Sequence, residues 1–154
     1  MKDLLLFVPL DENVRGQREF VPLGVLYLSS YLSALGFGVD VVHGYINDIS
    51  PGYRYYGLSS TTNQYSRCKR ALSHIRLIEP SSKIIIGGAH LNAKYCVETA
   101  LQDGWDYIVV GEGEVALRNI LERKCLDTVI YGTPIANLDE IPYPDYGKLD
   151  ITKY

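Results

Sequence analysis

The chain has 154 residues, 47% hydrophobic and 21% charged, the proportions of one globular domain with a sizeable core and not of a disordered segment. Fifteen basic against eighteen acidic residues leave a net charge of −3, which argues against a nucleic acid or an anionic membrane held by bulk electrostatics. No apolar run approaches the roughly 20 residues that span a bilayer. The short apolar start breaks at Pro9 without a small-residue cleavage site, so no membrane span and a cytoplasmic location are expected.

The elements follow in regular alternation. Leu4 to Val8 is a continuous apolar run ended by Pro9, as in a strand buried on both faces. A helix opens at Pro22 and runs to Leu35, with Leu28, Leu32 and Leu35 on one stripe and Gly36 as its stop. Val39–Val42 and Tyr55–Leu58 form the second and third strands. The next helix carries Cys68, Ala71, Leu72, Ile75 and Ile78 at helical spacing before Pro80, with Arg67, Lys69, Arg70 and Arg76 expected on its solvated face.

Ile84–Ile86 is a fourth strand running into Gly87-Gly88. Val97, Ala100 and Leu101 mark a short helix. Tyr107–Val110 is a fifth strand, and Leu117, Ile120 and Leu121 mark the helix after it. Such alternation implies right-handed βαβ units. The expected fold is an α/β, flavodoxin-like (Rossmann-like) doubly wound sheet of five parallel strands, ordered 2-1-3-4-5. That domain takes residues 1–134. Residues 135–154, with Pro142 and Pro144 and no usable period, are expected to form an extended strap or linker.

Cys68, Cys96 and Cys125 are odd in number, widely separated and form no Cys-x-x-Cys. A disulfide scaffold is excluded and no local metal signature exists. Cys68 and Cys96 fall on apolar helix positions and are expected to be buried.

In an open parallel sheet a ligand sits beyond the carboxyl ends of the strands. Those loops here are 9–16, 59–63, 87–92 and 111–114. The common ligands of this architecture meet obstacles. Pro9-Leu10-Asp11-Glu12 stands where a dinucleotide site needs G-x-G-x-x-G, and no P-loop exists. Leu58-Ser59-Ser60 stands where a receiver domain needs an aspartate. Gly111-x-Gly113 before a helix could hold an anion, but Glu112 and Glu114 flank it.

Five motifs arrive in a familiar order: Pro22-Leu23-Gly24-Val25-Leu26-Tyr27-Leu28, Gly57-Leu58-Ser59, Ile86-Gly87-Gly88-Ala89-His90, Val110-Gly111-Glu112-Gly113-Glu114 and Leu138-Asp139-Glu140-Ile141-Pro142-Tyr143-Pro144-Asp145. Together they resemble the N-terminal cobalamin-binding domain of the radical S-adenosylmethionine enzymes. That family includes methyltransferases and the anaerobic magnesium-protoporphyrin ester cyclase. The broader cobalamin-binding fold carries Asp-x-His-x-x-Gly after strand one, Ser-x-Leu at strand three and Gly-Gly at strand four. Asp11-Glu12-Asn13-Val14-Arg15-Gly16, Ser59-Ser60-Thr61 and Gly87-Gly88 are similar in order and spacing. Asn13 occupies the position of the histidine that ligates cobalt in those proteins, and an amide is a poor nitrogen donor.

The resemblance implies cobalamin as cofactor, bound without a histidine from the first loop. It implies Asp11, Asn13, Gly16, Ser59, Ser60, Thr61, Gly87, Gly88, His90, Gly111, Glu112 and Gly113 as cofactor-binding candidates. Gly87 and Gly88 would let a nucleotide tail lie against the backbone, or could form a tight turn and nothing more. Tyr65 and Tyr95 would offer aromatic surface to the corrin. His90 fits a surface histidine as well as a ligand; His43 fits a structural role, and His74 a solvated one. No Cys-x-x-x-Cys-x-x-Cys occurs, so no catalytic or metal residue is assigned here. The iron–sulfur cluster and S-adenosylmethionine would belong to a catalytic domain in cis or trans. The alternative is a cobalamin-free substrate-recognition or docking module; a flavin or nucleotide domain has the fold alone in its favour.

Overall fold

A computed structural model describes residues 1–11 and 20–154. The strands are β1 (Lys2–Pro9), β2 (Val39–Gly44), β3 (Tyr53–Ser59), β4 (Lys83–Gly87), β5 (Tyr107–Val110) and β6 (Val129–Tyr131). All pair in parallel, in the order β2-β1-β3-β4-β5-β6. The doubly wound sheet is as expected, with β6 added at one edge. Its register runs Leu6 beside Gly57, Gly57 beside Ile85 and Ser59 beside Gly87.

The helices are α1 (Leu23–Ala34), α2 (Tyr65–Ile78), α3 (Lys94–Ala100) and α4 (Glu114–Leu121). Because side chains alternate along a strand, each strand feeds two cores. Leu5, Phe7, Tyr56, Leu58, Ile84, Ile86 and Ile108 pack under α2 and α3. Leu4, Leu6, Val8, Tyr55, Ile85 and Val109 pack under α1 and α4. Cys68 and Cys96 are buried, as their helix positions imply. Among the described residues no helix is long and apolar enough to cross a membrane.

Two elements differ from expectation. In α1 the buried positions are Val25, Leu26, Ser29, Ser30 and Leu32; Leu35 caps the helix and is half exposed. Arg67 and Arg76 do not belong to a solvated face. Arg67 pairs with Asp11 and donates to the Asn63 carbonyl, while Arg76 reaches Asp106 at 2.7 Å and the carbonyls of Ser82 and Gly104.

Residues 135–154 run through three short 3-10 turns, Leu138–Glu140, Tyr146–Lys148 and Ile151–Lys153, and lie back on the domain. The Asp145 N–H donates to Ser30 Oγ at 2.9 Å and Lys148 Nζ to the Val39 carbonyl at 2.8 Å. Tyr154 stacks on His43, its hydroxyl 2.7 Å from Nδ1, which gives His43 a structural contact on β2.

Candidate functional site

At the carboxyl edge of the sheet, the face under α1 and α4 does not close. Its side-chain positions there are Gly57 and then Ser59 beyond Tyr55 on β3, Gly87 beyond Ile85 on β4, and Gly111 beyond Val109 after β5. The opposite face carries Leu58, Ile86 and Val110 at the neighbouring positions. The period of 2 therefore puts the small residues on one side only. The result is a cavity of about 290 Å3, lined by Ser59, Gly87, Gly88 and Gly111–Glu114 from the strand ends, Pro22–Val25 and Leu28 from α1 and Leu117 from α4. Such a volume lies near the lower end of small-molecule sites, roughly 300–1,000 Å3.

The two adjacent glycines have different tasks. A Cβ on Gly87 would meet Val109 at ordinary contact distances, 3.8 and 3.9 Å, so a larger side chain there would grow into the cavity. Gly88 has φ +100°, and a Cβ on it would stand 2.6 Å from the Ser60 carbonyl oxygen and 2.7 Å from the Ser60 nitrogen. This close approach lets the loops after β3 and β4 hydrogen-bond beyond the sheet, from Ser60 N–H to Gly87 (2.9 Å) and from His90 N–H to Ser60 (3.0 Å). Gly88 thus serves the backbone at least as much as the cavity.

The candidate residues fall into separate groups. Ser59, Gly87, Gly88, Gly111, Glu112 and Gly113 line the cavity. Ser60 is buried with its hydroxyl donating to the Thr61 carbonyl, and exposed Thr61 bonds to Gln64. His90 stacks on Tyr65 at 4.1 Å between ring centroids, with Nδ1 3.4 Å from Thr62 Oγ1. Burial lowers its pKa from the ordinary imidazole value by disfavouring the charged form. Tyr65 does not offer a free ring: it is buried, its hydroxyl donates to Asp103 at 2.6 Å and accepts from Trp105, and burial and the Asp103 bond raise its pKa. Tyr95 is exposed. Asp11 lies with Arg67 and away from the cavity; Asn13 and Gly16 are outside the described residues. Gly24, Leu28 and Gly57 line the cavity although they were absent from the candidates, and the small residues in the α1 and β3 motifs were the available signal.

The lining chemistry is selective. The walls are apolar (Val25, Leu28, Val109 and Leu117), with a hydroxyl from Ser59 and backbone exposed at the glycines. No lysine or arginine occurs among the described lining residues, whereas Glu112 and Glu114 do. A phosphate entering this cavity would meet no cationic side chain among the described lining residues.

A family model described as the B12 binding domain matches residues 15–121. The chain belongs to the B12-binding domain family. The cavity just described is therefore part of a B12-binding domain, and the flavodoxin-like architecture is the fold expected of one. This domain is 27% identical to the anaerobic magnesium-protoporphyrin IX monomethyl ester cyclase of Rubrivivax gelatinosus over 167 aligned positions, covering 86% of this chain. It spans about 30% of that enzyme's length. The cyclase is one of the enzymes to which the ordered motifs point. The N-terminal domain of a hypothetical protein from Thermotoga maritima superposes with a TM-score of 0.53 over 80% of this chain and 98% of that one, at 17% identity, a likeness of fold.

Proposed function

We propose that this B12-binding domain holds a corrinoid over the carboxyl edge of its sheet, with the nucleotide base of the cofactor in the cavity between α1 and α4. The observation that supports this is the cavity's lining, open and apolar where β3 ends in Ser59, β4 ends in Gly87 and Gly111 follows β5, and without a cationic group among its described residues. Gly87 leaves room for the ring, and Val25, Leu28, Val109 and Leu117 exclude water from it. Ser59 would donate a hydrogen bond to an acceptor on the base or its ribose. Glu112 and Glu114, at the turn leading into α4, disfavour an anion in the cavity and so keep the phosphodiester of the tail outside it.

Bound cobalamin would supply a transferable methyl group or an electron-transfer centre, chemistry that belongs to the cofactor. The protein's part is binding and orientation. Asn13 in place of the loop histidine supports binding without an imidazole ligand from that loop. The cyclase relative supports a setting in which this domain serves a radical S-adenosylmethionine catalytic domain, in cis or trans, with the iron–sulfur cluster and S-adenosylmethionine held there.

The test is retention. The purified protein is incubated with excess hydroxocobalamin, desalted, and its cobalt-to-protein ratio and visible spectrum recorded. Near-stoichiometric cobalt is expected, with a spectrum lacking histidine coordination. Complete loss of colour with both hydroxocobalamin and methylcobalamin would overturn the reading in favour of a docking module.

A further inference from the structure

One wall of the cavity, the Gly111–Gly113 turn, is braced from behind by a residue that does not line it. β6 ends at Tyr131, and the next residue, Gly132, donates its N–H to the Val110 carbonyl at 2.8 Å. A Cβ on Gly132 would overlap the Glu112 carbonyl oxygen and would lie 2.7 Å from its carbonyl carbon and 2.8 Å from its nitrogen. These are main-chain atoms, so no side-chain rotation relieves the conflict. Gly132 is not among the glycines with positive φ, so alanine is allowed there conformationally and the contact alone decides. The turn is confined on its other side too, since a Cβ on Gly113 would reach Leu28 Cδ2 of α1 at 2.9 Å. The peptide of Glu112 is therefore held between β6 and α1 with little slack.

Resting on the cofactor reading above, we infer that Gly132 determines the width of the cavity and with it the preference for a corrinoid that carries a nucleotide base. Without a side chain, the end of β6 closes against the Glu112 peptide and holds the turn at the separation from α1 that admits a planar ring. An added methyl group displaces the turn or the strand behind it. The contact with the base suffers, while a corrin resting on the strand edge keeps its surface.

The experiment compares cobalamin with cobinamide, the same corrin without the nucleotide, by titration of the wild type and of Gly132→Ala, with thermal unfolding of each. The wild type is expected to prefer cobalamin. Gly132→Ala is expected to weaken cobalamin at least tenfold while cobinamide changes less than twofold. A preference kept intact in Gly132→Ala overturns this inference and leaves the cofactor reading standing. An equal loss of both ligands together with a lowered melting temperature also overturns it, reducing Gly132 to a structural position. A wild type that binds neither corrinoid, or both equally, overturns the reading of the cavity and this inference with it. Should Gly132→Ala fail to fold, Gly113→Ala presses the same turn against the movable end of Leu28. The same selective loss is expected, and an unchanged preference overturns the inference.

Discussion

The two faces of the sheet are built by the same strands and come to opposite ends. Under α2 and α3 the strands present Phe7, Tyr56, Leu58, Ile86 and Ile108, and Trp105 and Tyr65 complete a closed core. Under α1 and α4 the alternate positions start equally bulky, with Leu4, Tyr55 and Ile85, then shrink to Gly57, Ser59, Gly87 and Gly111 at the carboxyl edge. A closed core and an open cavity are thus divided between even and odd positions of β3 and β4. Neighbouring substitutions should have unrelated consequences.

The largest expected effect is on the closed face. Ile86 is fully buried there, and Ile86→Ala should cost about 2–5 kcal/mol in denaturant unfolding by leaving a void. One residue further on, Gly87→Leu faces the cavity with room at its Cβ. It should reduce retained hydroxocobalamin to under about a tenth while unfolding shifts by less than ~1 kcal/mol, because space is filled and not emptied. If Gly87→Leu binds normally, or destabilises as much as Ile86→Ala, the division between the faces is broken.

A smaller effect sharpens the contrast between the two ends of the strands. At the amino end, Asp106 accepts from Lys83 (2.8 Å), the Ile84 N–H (2.9 Å) and Arg76 (2.7 Å). Burial would raise its pKa, but these donors outweigh burial and hold the carboxyl below the ordinary value of 3.8. Such a depressed acid contributes stability above that value and loses it as pH falls through the folded pKa. Asp106→Asn should therefore cost about 1.5–3 kcal/mol at pH 7, a difference that narrows below about pH 4. A constant difference between pH 7 and pH 3 would remove the ionic contribution. Cobalamin retention at pH 7 should be unchanged, since this network is at the end of the sheet remote from the cavity.

Most of the fold was legible because the strands are long apolar runs and the helices keep their period. β6 was not, since Val129–Tyr131 has two half-buried residues and an exposed tyrosine and owes its place to main-chain pairing with β5. The buried stripe of α1 was obscured by Ser29 and Ser30, polar residues in a position that hydrophobicity assigns to the outside. The cavity was half legible: its glycines stood out in the motifs. That Gly87 opens space while Gly88 admits Ser60 depends on where their missing side chains would point. Gly132 carried no local signal, because the atoms it must avoid belong to a peptide twenty residues away.

The strap over β2 has a consequence for association between molecules. β2 is the longer of the two outer strands, and a bare outer strand offers unpaired N–H and C=O groups to any passing chain. Lys148 occupies the Val39 carbonyl and Tyr154 sits on His43, so a visiting strand must first peel residues 145–154 away. The other outer strand, β6, offers three residues, too short a template for stable pairing. The same residues that hold the tail on the domain thus blunt the sheet against edge-to-edge aggregation.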